Sequence, residues 1–342
     1  MQVSDKLENP LAQWRTLRLG KKESSNLEIP TLPSEINTSF GRVRYALSAA
    51  KEARVLIPIS GRSHSLNDLS SESLVVKLSK LSLNGAFEYY ADITCTSQKL
   101  EGVFSDVIIE LLNRINFGEG SIEALKGTLN DFRMLFAESS SERPSREIVC
   151  GLIGELILLD KLLSINSDAW QTWRGPLSER HDFRAGTIAI EVKSTQRKGN
   201  KSISISSIEQ LQPPINGKLY ICHITLEEVN GGSLSVSYLT QKILNKASDR
   251  LEVLRRLSII GCSNTESSLW NHFKFQLEEN NYYIVNETFP KILESSFKEN
   301  AIPAGISKIK YDIDLTMSDA SKLDKNMESF LLKELIQCLQ NE

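Results

Sequence analysis

Several catalytic templates are missing from this chain, and the reactions they serve go with them. No GxxxxGK[ST] loop is present, so ATP hydrolysis would have to come from a partner. No GxSxG elbow occurs, and the four histidines, His64, His181, His223 and His272, show no HExxH spacing, which excludes the usual serine-hydrolase and zincin designs. Cysteine is sparse: Cys95, Cys150, Cys222, Cys262 and Cys338 are odd in number, scattered and without a CxxC pair, so neither a zinc site nor a disulfide framework is implied. No apolar run reaches membrane-spanning length, and the opening MQVSDKLE lacks the basic and apolar blocks of a signal peptide. The expectation is a reduced, soluble protein of the cytoplasm with no membrane role. Charge of one sign is lacking too, the net being −3, so any contact with a polyanion should be local rather than spread over the surface.

What is present is length and a segmented pattern. The chain's 342 residues can bury a large core and leave room for more than one domain. Residues 1–138 mix strand-like stretches at 54–59, 73–78 and 87–94 with a helix around 104–115, which reads as a β-rich N-terminal module. Arg15, Arg18, Lys21, Lys22, Arg42, Arg44, Lys51, Arg54 and Arg62 make its first part locally basic. A polar stretch at 139–144 ends in Pro144, which can open a helix. Residues 145–240 form a candidate core, with strands expected at 219–226 and 233–239 joined across Asn230-Gly-Gly232. From 241 to 342 an α/β extension is expected: helices at about 241–257 and 319–340, and strands near 282–285 and 309–315. The class is α/β, a mixed sheet flanked by helices.

The chemistry concentrates in HDFRAGTIAIEVKST, residues 181–195. Ile188, Ile190 and Val192 alternate with Ala189, Glu191 and Lys193, the period of a strand, so Glu191 and Lys193 point the same way. A turn at Arg184-Ala-Gly-Thr187, with Gly186 free to take positive φ, brings Asp182 opposite Glu191. Two converging acids with an open side suit a hard cation such as Mg²⁺, with Mn²⁺ as a substitute and the Val192 carbonyl as a further ligand. Lys193 then lies beside the metal, able to hold an attacking water or to neutralise transition-state charge. Taken alone, the hairpin reads equally well as a solvated edge with alternating charges.

The flanks weigh on that choice. Ile148, Leu152, Glu155, Leu159 and Leu162 share a helical stripe, and a carboxylate among leucines needs a partner, a proton or a cation. Glu155 either reaches the metal site or pairs elsewhere. Downstream, residues 203–211 read as a strand entering a helix, where Ser207 and Gln210 fit a capping box. Arg197, Lys198 and Lys201 lie in the intervening loop, where they can meet DNA phosphates or simply face solvent. Trp170, Trp173 and Phe183 are aromatic candidates for core or for base stacking. Asp312 and Asp314 share a strand face and read as solvated.

Glu on a first helix, Asp followed by Glu-x-Lys on a hairpin, and Gln after the next strand together resemble the PD-(D/E)XK nuclease superfamily. The strings GLIGEL (151–156), WRGP (173–176), HDF (181–183), EVKS (191–194) and ISSIEQL (205–211) are similar to an uncharacterised bacterial family known as PD-(D/E)XK motif proteins. The resemblance is densest over 145–215 and extends weakly over most of the chain. It implies a restriction-endonuclease-like core. It gives Glu155 the acidic-helix position, Asp182 and Glu191 the metal-ligand positions, Lys193 the catalytic lysine and Gln210 a supporting polar role. It also implies a Mg²⁺-dependent DNA endonuclease from restriction-modification or phage-defence clusters, with methyltransferase, helicase or ATPase subunits as partners. His181 stands where the superfamily name has proline. Two other readings stay open: a catalytically silent DNA-binding or scaffolding subunit, and an interaction module with no nucleic-acid role.

Overall fold

The computed structural model describes residues 8–20, 29–61, 66–71, 73–83, 86–132, 143–196, 201–306 and 308–341. Arg197 and Lys198, as well as Lys21, Lys22, Arg62, His64 and residues 139–142 of the expected linker, lie outside them. The chain divides into two compact units, Met1–Ser139 and Ser140–Glu342.

The first unit is built on an antiparallel sheet of β1 (Thr31–Thr38), β2 (Gly41–Leu47), β3 (Ala53–Ile59), β4 (Leu74–Leu83) and β5 (Ala86–Cys95), in the order β1-β2-β3-β5-β4. Three helices accompany it: α1 (Pro10–Arg18), α2 (Glu101–Asn116) and α3 (Ser121–Asp131). Sequence periodicity anticipates α2 but not α1 or α3. Asn9 starts α1 by accepting from the Leu11 amide, and Pro10 occupies the first helical position, where its missing N–H costs nothing. Tyr45, Val55, Ile93 and Val76 are register partners across four strands and are all buried, so they share one apolar face. Trp14 of α1 stacks on Phe104 of α2 at 5.2 Å and meets Tyr45 edge-on at 6.1 Å, which joins both helices to that core.

The unit also buries an ion pair. Asp92 is fully buried and takes two hydrogen bonds from the Arg54 guanidinium, at 2.7 and 2.6 Å, and another from the Ser79 hydroxyl. Arg18 is likewise held by Glu101 at 2.6 Å. The basic stretch read from the sequence is therefore partly neutralised, because acids distant in sequence fold onto it. Breaking a buried pair strands a charge, so Asp92→Ala is expected to destabilise this unit by about 3–5 kcal/mol in a denaturant titration.

The second unit begins with α4 (Arg146–Leu163), capped by Ser145, whose hydroxyl accepts from the Ile148 amide; Pro144 precedes the cap. A four-stranded mixed sheet follows, formed by β6 (Phe183–Ala185), β7 (Ile188–Gln196), β9 (Lys218–Glu228) and β10 (Phe275–Ile284) in the order β10-β9-β7-β6. Between β7 and β9, β8 (Ser202–Ile205) leaves this sheet and pairs with β11 (Tyr311–Asp314). α5 (Val236–Leu244), α6 (Arg250–Ile259) and α7 (Lys325–Gln340) complete the unit. The architecture is mixed α/β, with an antiparallel and a mixed sheet flanked by helices, the class expected from the sequence.

Several local expectations are corrected. Residues 233–239 do not form the second arm of a hairpin: Ser235 caps α5 through the Tyr238 amide, and Val236, Leu239 and Ile243 form its buried stripe. The antiparallel partner of β9 is instead β10, far along the chain. The helix expected over 241–257 is two helices, α5 and α6. Residues 208–211 form a single 3₁₀ turn, and the Ser207 side chain makes no capping bond there. Ile148 stands exposed at the start of the α4 stripe.

β7 lies between β6 and β9, parallel to β9 and antiparallel to β6. Beneath Ala189 on one face sits a core of Ile203, Ile205, Ile221, Tyr283 and Phe289. On the other face α4 comes in close at Gly154, where any side chain would collide with Ser194. β6 is the sheet's edge strand, but β7 is interior and its Glu191 is buried, which counts against a solvated hairpin.

Candidate active site

Three segments place the acids. The β6–β7 register, Phe183↔Ile190 to Ala185↔Ile188, closes through Gly186 at φ +50° and leaves Asp182 and Glu191 facing each other one residue beyond the last paired position. The Val192 amide donates to Asp182 Oδ2 at 2.7 Å, which locks that carboxylate onto β7. The close approach at Gly154 then delivers the next residue of α4, Glu155, to the same place.

How near the carboxylates come is measured by Gly175. A methyl group placed there would lie 3.0 Å from Asp182 Oδ1 and 3.1 Å from Glu155 Oε2, so both oxygens border the small space that the missing side chain leaves. The amides of Arg174 and Gly175 also donate to the Asp182 carbonyl, at 2.7 and 3.0 Å. Gly175→Ala is expected to preserve the fold while pushing the carboxylates apart. Divalent-cation affinity should drop about ten-fold, an effect of the size seen when supports around a metal site are disturbed, readable by calorimetric titration.

Glu191 is 2% exposed, and its Oε2 is buried without a hydrogen-bond partner. Its Oε1 lies 2.9 Å from Lys193 Nζ. That ammonium also donates to Gln210 Oε1 at 3.2 Å, and the same oxygen accepts from the Ser206 amide at 2.9 Å. Gln210 thus serves as the anchor of Lys193 rather than as part of a capping box. Asp182, Glu191, Lys193, Glu155 and Gln210 are brought together from four separate segments.

The electrostatics follow from this crowding. Burial raises the Glu191 carboxyl from 4.5 to about 8, with the Asp182 charge pushing in the same direction and Lys193 pulling against it. Glu155 is held well above its ordinary range by burial and then by Asp182, opposed by the Trp173 indole. Asp182 is raised by burial, opposed by the Val192 amide. Acids gathered in a dry place disfavour their own ionised forms, and a cation among them reverses that preference.

The donor set is of the kind a hard cation takes: carboxylate oxygens of Asp182 and Glu155 border a space that a methyl group would fill, and Glu191 adds a buried oxygen without a hydrogen-bond partner. Among the described residues no group of three or more His, Cys, Asp or Glu forms a ready cage.

Other residues singled out from the sequence fall elsewhere. His181 is buried and its imidazole is pushed down to about 4 by burial and then by Arg180, so it stays neutral in the interior. Trp173 and Phe183 are fully buried and belong to the core, not to a stacking surface. Lys201 is exposed at the start of β8; Asp312 and Asp314 are exposed on β11. Gly154, Gly175 and Trp173 carry no signal of their own in the sequence beyond the strings GLIGEL and WRGP. Among the described residues no helix is long and apolar enough to cross a membrane.

Comparison with known proteins gives one family. The model of the family described as "Putative PD-(D/E)XK family member, (DUF4420)" matches residues 11–316. No curated protein and no solved structure matches the chain.

Proposed function

The chain belongs to this PD-(D/E)XK family, and from that premise we propose that it is a Mg²⁺-dependent DNA endonuclease hydrolysing phosphodiester bonds in a bacterial restriction-modification or phage-defence system. The observation that carries the reading is the contact set of Asp182, Glu191 and Lys193: Asp182 Oδ2 takes the Val192 amide at 2.7 Å, Glu191 Oε1 lies 2.9 Å from Lys193 Nζ, and Glu191 Oε2 is buried without a hydrogen-bond partner. Asp182 and Glu191 would hold Mg²⁺ or Mn²⁺, with the Val192 carbonyl as a third oxygen and Glu155 bordering the ion. When bound, the ion supplies charge neutralisation at the phosphate and a more acidic water.

The chain's own groups do the rest. Lys193, steadied by Gln210, orients an attacking water and neutralises charge that builds on the phosphoryl oxygens. Gln210 keeps the lysine from swinging to solvent. Asp182, fixed through the Val192 amide, needs no reorganisation as the reaction proceeds. Arg197, Lys198 and Lys201 would contact backbone phosphates, a sequence-independent and salt-sensitive contribution. The work would be done in the cytoplasm, with methyltransferase, helicase or ATPase subunits as partners.

The test is direct. Purified protein, alone and with the products of neighbouring genes, is incubated with supercoiled and linear DNA in Mg²⁺, Mn²⁺ or chelator. Nicked or linearised product that needs the divalent ion is expected. DNA left intact under every metal and partner condition would sink the proposal.

A further inference from the structure

Trp173 is fully buried, and its indole Nε1 donates to Glu155 Oε2 at 2.7 Å. A buried indole N–H needs some acceptor. The acceptor here is a carboxylate that borders the proposed ion and lies close to the acids Asp182 and Glu191, with the Lys193 charge opposing them. Trp173 also pairs by an isolated bridge with Phe183, the residue directly after Asp182. The next two residues, Arg174 and Gly175, give their amides to the Asp182 carbonyl. One tripeptide therefore grips both acids, and its conformation sets how Glu155 and Asp182 stand to each other.

The tripeptide is itself held. Arg256 of α6 is 4% exposed, and its Nη1 donates to the carbonyl of Trp170 at 2.7 Å and, in a short contact, to that of Trp173. Its Nε donates to Glu252 at 3.2 Å, and the guanidinium lies 5.0 Å from the Trp170 ring centre. Burying a guanidinium is costly unless its donors are satisfied. Here they are spent on the turn that carries Trp173.

Resting on the nuclease reading above, we propose that Trp173 is a positioning residue for Glu155: its indole N–H, braced by Arg256, fixes the carboxylate beside Asp182 so that the cation meets a preset pair of acids. Without the N–H, Glu155 is free to turn away from the ion, and part of the binding energy goes into ordering it. The indole acts through Glu155 and touches neither ion nor substrate.

The experiment uses the full chain and Mn²⁺ alone, with free ion followed by its paramagnetic resonance signal. Trp173→Phe keeps an aromatic in the core and removes the donor. The Mn²⁺ dissociation constant is expected to rise about ten-fold, within the range typical of lost supports around a metal. In a Glu155→Ala background the same substitution is expected to change it by less than about two-fold, because the group being positioned is gone. With DNA as substrate and Mn²⁺ below saturation, kcat is expected to fall while KM for DNA holds.

Equal losses in both backgrounds, or no loss in the wild-type background, would overturn the proposal. If Trp173→Phe does not fold, Arg256→Lys takes its place in the same comparison, since it keeps a charge beside Glu252 and gives up the fork over the two carbonyls; the same two results decide. A wild-type chain that takes up no more Mn²⁺ than Asp182→Ala brings down the nuclease reading and this proposal together. A wild-type chain that binds Mn²⁺ and is indifferent to Trp173 brings down this proposal alone.

Discussion

Asp182→Asn is expected to be inactive on DNA and yet more heat-stable than the wild type in chelator at pH 8. The amide oxygen can still accept from Val192, so the hairpin keeps its lock, while the charge that opposes ionisation of Glu155 and Glu191 disappears. Removing one ligand of a catalytic cation forfeits several kcal/mol of transition-state stabilisation, which puts the expected loss of cleavage rate at about a thousand-fold. Lys193→Ala should lose activity to a similar extent, within about 10²–10³-fold, since a charged donor aimed at developing negative charge is removed. The two variants should separate on metal binding. Asp182→Asn is expected to lose Mn²⁺ affinity, and Lys193→Ala to keep it, because lysine only competes with the ion for Glu191. Cleavage rates, Mn²⁺ titrations and melting curves of the two proteins check all of this. A cleavage rate at the wild-type level in either would contradict the assigned roles.

The metal-free protein is expected to become less stable as pH rises from about 5 to about 8. Glu155, Asp182 and Glu191 all have folded-state values raised above their ordinary ones, Glu191 from 4.5 to about 8. In that window the native state holds more protons than the unfolded chain, so stability falls with pH. The stabilisation is complete below the ordinary carboxylate range and lost as pH passes the raised values. A divalent ion reverses the sign of the local problem, so its benefit should grow with pH. At about 100 times its Kd the ion contributes about 2.7 kcal/mol, roughly 5–10 °C in melting temperature for a unit of this size. Glu191→Gln should flatten the pH dependence and remove most of that gain. A metal-free melting temperature that climbs from pH 5 to 8 would contradict the buried-acid picture.

How much of this was legible in the sequence depends on how local each feature is. The β6–β7 hairpin is readable because strand alternation and the glycine turn lie within a dozen residues, although the paired register ends at Phe183↔Ile190, one residue short of Asp182 and Glu191. The burial of Glu191 is not readable, because alternation alone describes its face as half solvated, whereas Ala189 on that face packs into a core built with β8 and β11 and Glu191 is 2% exposed. Residues 233–239 misled because Ser-Leu-Ser-Val-Ser alternates like a strand while Val236, Leu239 and Ile243 also fit a helix; the Ser235 cap settles it. For Gln210 the sequence offers both a capping box and a supporting polar role, and only the second matches its contacts. Its side chain turns to Ser206 and Lys193, a choice made by the 3₁₀ turn that replaces the expected helix. Trp173 is the plainest case: nothing periodic announces that its indole meets a carboxylate eighteen residues upstream.

The central claim, that Asp182 and Glu191 share one divalent ion, is tested most directly by crystals grown with Mn²⁺ and measured near the manganese absorption edge. A single anomalous peak within about 2.0–2.6 Å of carboxylate oxygens from both residues, with Lys193 Nζ turned from Glu191 toward Gln210, is the predicted result. Crystals saturated with Mn²⁺ that show no peak between the two acids, with Glu191 still paired to Lys193, would contradict it.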